Sequence, residues 1–187
     1  MKLLDALCRN REFEQLLSEN RERLYRIAFS WSHHADVADD LVQETCAKAL
    51  KRRKQLRELE AMSPWLFRIL MNTWHDYLRA RKETVEFDEC DFTEEHTPET
   101  VNSRYETVQR VRKSMAKLPL GQREVLTLVD IERFSYAEVA EILDIPVGTV
   151  MSRLSRARRQ LKELLLVSEN DQAMKRNTVV TIRGVKT

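Results

Sequence analysis

The chain has 187 residues and a formal net charge of +2. That charge is unevenly distributed, because residues 1–82 carry +4, residues 83–106 carry −8 and residues 107–187 carry +6. This order is typical of two basic modules joined by an acidic connector. With only 3 Gly and 4 Pro, the composition excludes turn-rich β sandwiches and barrels and predicts an all-α fold of two small helical domains. No apolar run approaches the roughly 18 residues of a membrane span and no signal peptide is evident, so we expect a soluble, cytoplasmic protein without membrane insertion.

Three amphipathic helices are predicted in the first module. Apolar residues recur at helical spacing over residues 12–31, and a Ser-His-His segment ends that helix. The second helix covers residues 36–53, with seven residues facing inward: Ala38, Leu41, Val42, Thr45, Cys46, Ala49 and Leu50. Ser63 as a cap and Pro64 in the first turn start the third helix, which runs to about residue 82.

The second module is predicted to contain a helix-turn-helix. An acidic linker without sustained periodicity separates it from the first at residues 83–100. Further along, Ser135 and Glu138 form a capping box that starts one helix, and a short turn leads to another from Val147 to about Leu166. Two helices joined by so short a turn, the second rich in arginine, are typical of this motif. Residues 167–187 have no assigned role, and we expect them to be poorly ordered.

The last predicted helix has two chemically different faces. Its core seam comprises Val147, Val150, Leu154, Ala157 and Leu161. Its opposite face comprises Thr149, Ser152, Ser155, Arg156 and Arg159, with Arg153 on the flank. In a major groove, arginine reads guanine edges while serine or threonine binds phosphate. From the spacing alone, a solvated basic surface helix is the alternative.

The third predicted helix places four polar side chains on one face, at positions i, i+4, i+7 and i+11: Arg68, Asn72, His75 and Arg79. Four aromatic residues flank them: Trp65, Phe67, Trp74 and Tyr77. Basic groups that track phosphates beside aromatics that stack on bases are typical of a single-stranded nucleic acid site. The alternative is that the aromatics belong to the core, as we expect for Trp65 and Tyr77.

The polar face of the second helix carries Asp36, Asp40, Gln43, Glu44 and Lys51. Such a cluster is either solvated surface or a docking face for a basic partner helix. The three cysteines form no closely spaced pair, so neither a disulfide framework nor a zinc site is expected. No nucleophile-base-acid set and no phosphate-binding glycine loop can be assembled. We therefore expect no cofactor, no metal and no enzymatic activity.

Four sequence motifs follow one another along the chain. They are DDLVQET at 39–45, SPWLFRILMN at 63–72 with DYLRAR at 76–81, LPLGQREVL at 118–126, and the run from SYAEVAEIL to RARRQL at 135–161. In this order they resemble the sigma-70 superfamily, specifically the compact two-domain extracytoplasmic-function (ECF) RNA polymerase sigma factors. The resemblance covers nearly everything from about residue 12 to residue 166.

The resemblance implies a sigma-2 domain at residues 12–82, which binds core polymerase and recognises and melts the minus ten element. It also implies a sigma-4 helix-turn-helix domain at residues 101–166 for the minus thirty-five element. Implied contacts to core polymerase are Asp40, Gln43 and Glu44. Asn72 and the loop 55–63 would capture an unstacked minus ten base. Implied minus thirty-five contacts are Thr149, Ser152, Arg153 and Arg156. The implied partners are core RNA polymerase, promoter DNA and an anti-sigma protein that clamps both domains.

One position departs from the family pattern. After Gly-Thr-Val the family usually has Arg or Lys, and this chain has Met151, so one contact is missing or replaced by an apolar contact with a thymine methyl. Two other functions stay open at this stage. A stand-alone helix-turn-helix regulator would need neither the acidic linker nor the DLVQET face, and a helical adaptor that binds only proteins would not need arginines on one side of a helix.

Overall fold

The computed structural model describes residues 2–84 and 103–183, with side chains at 9–81 and 107–167. Its helices are α1 Lys2–Ser32, α2 Ala35–Arg52, α3 Met62–Thr84, α4 Ser103–Ala116, α5 Leu120–Leu126, α6 Tyr136–Leu143 and α7 Val147–Arg183. Two 3-10 turns, Arg53–Gln55 and Leu59–Ala61, join α2 to α3, and a π turn at Thr127–Ile131 extends α5. Every regular element in these ranges is helical, which confirms the all-α prediction. None of these helices is long and apolar enough to cross a membrane.

Helices α1, α2 and α3 form a first unit around a shared apolar core. Each contributes one stripe of residues that recur every three or four positions. The stripes include the fully buried Leu24, Ile27, Ala28, Ala38, Ala49, Leu66 and Leu70. The break between α1 and α2 falls where predicted, since His33 takes a left-handed φ of 58°. This packing fixes which face of α2 and α3 is left to solvent.

Helix α2 buries most of the residues that its periodicity predicted, but not all of them. Leu50 is wrongly predicted: 42% of it is exposed. It lies nine residues after Leu41 and so about 180° around the helix from that buried residue. Cys46 is half-buried. The inward stripe of α2 is therefore narrower than predicted and leaves more of the helix surface to partners.

Helices α4 to α7 form the second unit, and α5 and α6 both pack on α7. The predicted capping box is confirmed, because Ser135 Oγ accepts from the Glu138 amide at 3.3 Å while Glu138 Oε2 accepts from the Ser135 amide at 2.8 Å. The central seam of α7, from Val150 to Ala157, is buried. The prediction that Val147 belongs to the core seam is wrong. This residue is 42% exposed, because it is the first residue of α7 and lies beyond the packed seam.

Two further predictions at element ends are corrected. Helix α3 begins at Met62, so Ser63 is not its cap; the Ser63 hydroxyl instead accepts a hydrogen bond from Arg23 Nη1 at 3.0 Å. Regular structure does not stop near Leu166, because α7 continues to Arg183, so the tail predicted to be poorly ordered is helical up to that residue. Residues 85–100 of the predicted acidic linker, which spans 83–100, lie outside the described residues.

Candidate nucleic-acid interface

The solvent face of α7 carries the arginines that were predicted to approach duplex DNA. Arg156 and Arg159 are exposed, whereas Thr149 and Ser152 are half-buried. Ser152 Oγ donates a hydrogen bond to the Thr149 carbonyl at 3.1 Å. Among the side chains at 9–81 and 107–167, none forms a hydrogen bond or ion pair with Arg156 or Arg159. Both guanidinium groups are therefore free of competing contacts from this part of the chain.

Arg153 and Arg158 lie on the same helix but are held by its own unit. Arg153, predicted as a DNA contact, is half-buried and packs on Gly121 of α5 so closely that a Cβ there would come within 3.0 Å of Nη1. Arg158 binds Asp130 through two hydrogen bonds, at 3.1 Å from Nε and 2.6 Å from Nη2. Arg153 would have to leave α5 to reach DNA, and Arg158 joins α7 to the π turn.

The stripe predicted on α3 divides into free and engaged side chains. Arg68 and Asn72 are exposed, and their side chains point away from the core that α3 shares with α1 and α2. Arg79 is also exposed but donates a hydrogen bond to Asp76 one turn earlier. That bond, with Lys48 nearby, lowers the pKa of Asp76. The stripe therefore lies on α3 as predicted. Within it, Arg68 and Asn72 can bind a partner without breaking a described contact, whereas Arg79 would have to leave Asp76.

His75, the remaining member of the stripe, contacts the second unit. Its Nε2 lies 3.0 Å from Glu124 Oε1 on α5. The hydrogen bond to Glu124 raises the pKa of His75 despite partial burial, because it stabilises the charged imidazolium. Glu124 itself is buried, with 5% of its side chain exposed. In this arrangement Nε2 of His75 is engaged by a carboxylate of the other unit, while 42% of the His75 side chain stays exposed.

The four aromatics around the stripe are distributed differently from the prediction. Phe67 and Trp74 are buried, and Trp74 stacks between Trp31 and Tyr77 at centroid distances of 6.3 and 5.7 Å. Trp65 and Tyr77, expected in the core, are half-buried. Buried rings cannot stack on a base without unpacking the core, so Phe67 and Trp74 are wrongly predicted as stacking candidates. The half-buried pair retains some accessible ring surface.

The predicted docking face on α2 is exposed and borders a groove. Asp40, Gln43 and Glu44 are all exposed. The groove, of about 270 Å³, lies between α2 and α3 and is lined by Val37, Asp40, Leu41, Glu44, Asp76, Tyr77 and Ala80. This volume is near the lower limit of the roughly 300–1,000 Å³ of small-molecule pockets. Carboxylates around an apolar floor suit a partner that is basic as well as apolar.

Sequence reasoning did not find Lys48, which links the two sides of this groove. Its ammonium group lies 2.8 Å from Glu44 and 3.5 Å from Asp76, and it donates to Thr73 Oγ1 at 3.1 Å. The i, i+4 spacing of Glu44 and Lys48 was a visible signal. The link to α3 had no local signal, because it depends on how the two helices pack. Within the described side chains, no group of three or more metal-binding residues forms a candidate metal site.

Comparison with known proteins identifies the family. The models for sigma-70 region 2 and sigma-70 region 4 match residues 16–84 and 108–161. The ECF RNA polymerase sigma factor EcfG of Rhodopseudomonas palustris is 35% identical over 161 residues, which cover 86% of this chain and 89% of the relative. The chain belongs to the ECF group of the sigma-70 family. The RNA polymerase sigma-H factor of Pseudomonas aeruginosa is another relative of this sigma factor, 32% identical over 167 residues that cover 83% and 86% of the two chains.

Solved structures also share the fold of this sigma factor. The sigma factor RpoE from Bartonella quintana, solved in complex with the anti-sigma factor NepR, matches with a TM-score of 0.69 and 31% identity, covering 83% of this chain and 98% of that one. CnrH, solved with the cytosolic domain of CnrY, matches with a TM-score of 0.63 and 28% identity over 84% and 90% of the two chains. The likeness extends over both units of the sigma factor.

Proposed function

We propose that this sigma factor binds core RNA polymerase in the cytoplasm, selects promoters through α3 and α7, and assists strand opening without being an enzyme itself. The observation that carries the proposal is that two separate helix faces are exposed to solvent and that each presents polar side chains free of described contacts. One is the α7 face of Arg156 and Arg159, and the other is the α3 face of Arg68 and Asn72. Two such faces on two units suit a duplex element and a melted element of the same promoter.

At the minus thirty-five element, the proposed contact is the N-terminal half of α7 in the major groove. Arginine is suited to guanine edges and phosphates, and each neutralised phosphate makes binding more dependent on salt. Thr149 and Ser152 stand one turn apart near the start of α7, where hydroxyls and helix amides favour phosphate. Met151, 54% exposed on this helix, supplies an apolar group for a thymine methyl.

At the minus ten element, the proposed contact is a single strand along α3. Unstacking a base costs a few kcal/mol, which hydrogen bonds to the captured base offset. The exposed amide of Asn72 has both donors and an acceptor for a base edge. Arg68, one turn earlier, would neutralise an adjacent phosphate. This division of roles makes Asn72 important for opening and Arg68 for affinity.

For core polymerase, the proposed docking site is the α2 groove with Asp40, Gln43 and Glu44. The sigma factor RpoE of Bartonella quintana was solved with the anti-sigma factor NepR, and CnrH was solved with the cytosolic domain of CnrY. We propose that an anti-sigma protein also binds this chain, in competition with core polymerase. The rival function, a stand-alone helix-turn-helix regulator, leaves this exposed acidic groove without a role.

Strand opening tests the proposal. Holoenzyme reconstituted from the chain and core polymerase would be footprinted with permanganate on a promoter selected from a random library. Asn72→Ala should reduce thymine reactivity in the minus ten region at least about tenfold, while core binding persists. Gln15→Ala, an exposed amide truncation on α1, is the matched control. Equal loss of opening and of core binding in Asn72→Ala would contradict the assigned role.

A further inference from the structure

The loop between α2 and α3 contains a short stretch of extended backbone between its two 3-10 turns. Leu56 has φ −77° and ψ 107°, and Glu58 has φ −122° and ψ 130°. Apolar side chains hold the loop to the core on both sides of this stretch, because Leu56 and Met62 are 5% and 2% exposed. The side chains of Arg57 and Glu58 between them are exposed. Backbone groups outside a helix need hydrogen-bond partners from elsewhere in the chain or from water.

A side chain from the start of α1 supplies such partners. Arg9 Nη2 donates to the Leu56 carbonyl at 2.9 Å and to the Arg57 carbonyl at 2.6 Å, across 47 and 48 positions of sequence. In the described part of the chain, no backbone amide donates to either carbonyl. Hydrogen bonds from a charged donor are stronger than those between neutral groups. Arg9 therefore fixes the two peptide groups on either side of Arg57, the exposed residue of the loop.

Phe13 holds this end of α1 against α3. It lies one turn after Arg9 and so on the same side of α1. Phe13 is 4% exposed and meets the Trp65 ring edge to face, with centroids 6.2 Å apart and ring planes at 70°, a geometry that aromatic pairs prefer. Trp65 is half-buried and lies three positions before Arg68 of the α3 stripe. The start of α1 therefore supports both the loop and the aromatic ring next to this stripe.

The loop leads directly into the α3 face that is proposed for the minus ten strand. Ala61, the exposed last residue of the second 3-10 turn, lies seven positions before Arg68. Seven positions are about two helical turns, so Ala61 and Arg68 lie on the same side and about 10 Å apart along the axis. Successive phosphates of one strand are about 3.4 Å apart in B-form DNA. A strand that contacts Asn72 and Arg68 therefore reaches the loop within a few nucleotides.

We propose that Arg9 is a positioning residue for minus ten recognition, which holds the loop 55–63 in the shape that captures the unstacked base. Arg9 does not touch the base and acts through the carbonyls of Leu56 and Arg57. A loop that is already ordered loses less conformational entropy when the base binds, so the correct base gains more from its contacts. Arg9 lies outside residues 16–84, which match the region 2 model. The start of α1 thus adds a determinant of base preference to that region.

The inference rests on the proposed function, because it requires that Asn72 and the loop 55–63 capture a base. The test therefore measures base preference, defined as the ratio of open complexes formed with the preferred base to those formed with each other base. Holoenzyme would be incubated with promoters that carry each of the four bases at each minus ten position, and heparin-resistant complexes would be counted. The position at which Asn72→Ala lowers the preference is the captured position. This ratio does not depend on the fraction of protein that is folded or bound to core polymerase.

Arg9→Ala should lower the preference at the captured position about fivefold, because fewer molecules have the loop in place. Arg11→Ala is the matched control, since it removes the same charge from an exposed position of α1, and it should keep the parental preference. If Arg9→Ala lowered opening equally with all four bases, the residue would have a general structural role and the proposal would be overturned. The proposal would also be overturned if Arg9→Ala and Arg11→Ala gave the same preference. If Asn72→Ala changed the preference at no position, base capture itself would be contradicted, and the inference with it.

Discussion

Replacing Arg156 by alanine removes a guanidinium that is exposed and free of described intramolecular contacts. Its loss should cost little folding stability and act on DNA binding alone. Each phosphate neutralised on duplex DNA adds about 0.9 to the slope of log K against log salt. Losing one contact at about 0.1 M salt should therefore weaken binding about eightfold, or about 1.2 kcal/mol, and lower the slope by about 0.9.

The assay is fluorescence anisotropy on a minus thirty-five duplex selected from a random library, repeated over a range of salt concentrations. Arg158→Ala is the matched control, because Arg158 lies about 200° around α7 from Arg156 and is bound to Asp130. Arg158→Ala should change the slope of log K against log salt by less than half as much as Arg156→Ala does. Equal slopes for Arg156→Ala and Arg158→Ala would show that the exposed face of α7 does not bind DNA.

Three other predictions concern the acidic groove, the helix cap and the pH dependence of the packing between the two units. Asp40→Lys should weaken core polymerase binding about tenfold in a competition assay, while Asp39→Lys, which is exposed but does not line the groove, should not. Ser135→Ala should lower the stability of the second unit by about 1 kcal/mol, seen as a drop in Tm of about 4–8 °C. The pKa of His75 is raised above 6.5, so its pairing with Glu124 stabilises the packing of the two units fully below pH 6.5, and this stabilisation is lost as pH rises through the raised pKa.

The pH dependence of compactness is measured as a difference between two proteins, the parent and the Glu124→Gln variant. The groups that face His75 are Glu124 from α5 and, on its own helix, Asp76 and Arg79. His33 acts with the opposite sign, because its pKa is lowered to about 4 and its protonation disfavours burial. Subtracting the compactness of the Glu124→Gln variant from that of the parent at each pH isolates the contribution of the pair between His75 and Glu124. A difference in compactness that grows with rising pH would contradict the assignment.

Periodicity was enough to predict which residues share a helix face. The solvent positions of Arg156 on α7 and Asn72 on α3 follow from a repeat of 3.6 residues per turn. The capping box at Ser135 was equally visible, because both of its partners lie within one helical turn. Local geometry and composition were therefore enough to predict the helical fold and much of the candidate site.

Periodicity could not predict what a side chain meets across the fold. Arg153 packs on Gly121, and His75 faces Glu124 across 49 positions of sequence. Phe67 and Trp74 are buried although they flank the polar stripe, because a second element covers that side of α3. These outcomes depend on tertiary packing, for which a single sequence gives no spacing rule.

The most direct test of the proposed function is run-off transcription by core RNA polymerase on a pool of random promoters, with and without the chain. Transcripts should appear only when both proteins are present. The templates recovered should share two separate sequence elements, one for each unit of the sigma factor. If the chain instead selected a single duplex site without polymerase and yielded no transcripts with it, that result would contradict the proposed function and favour a stand-alone regulator.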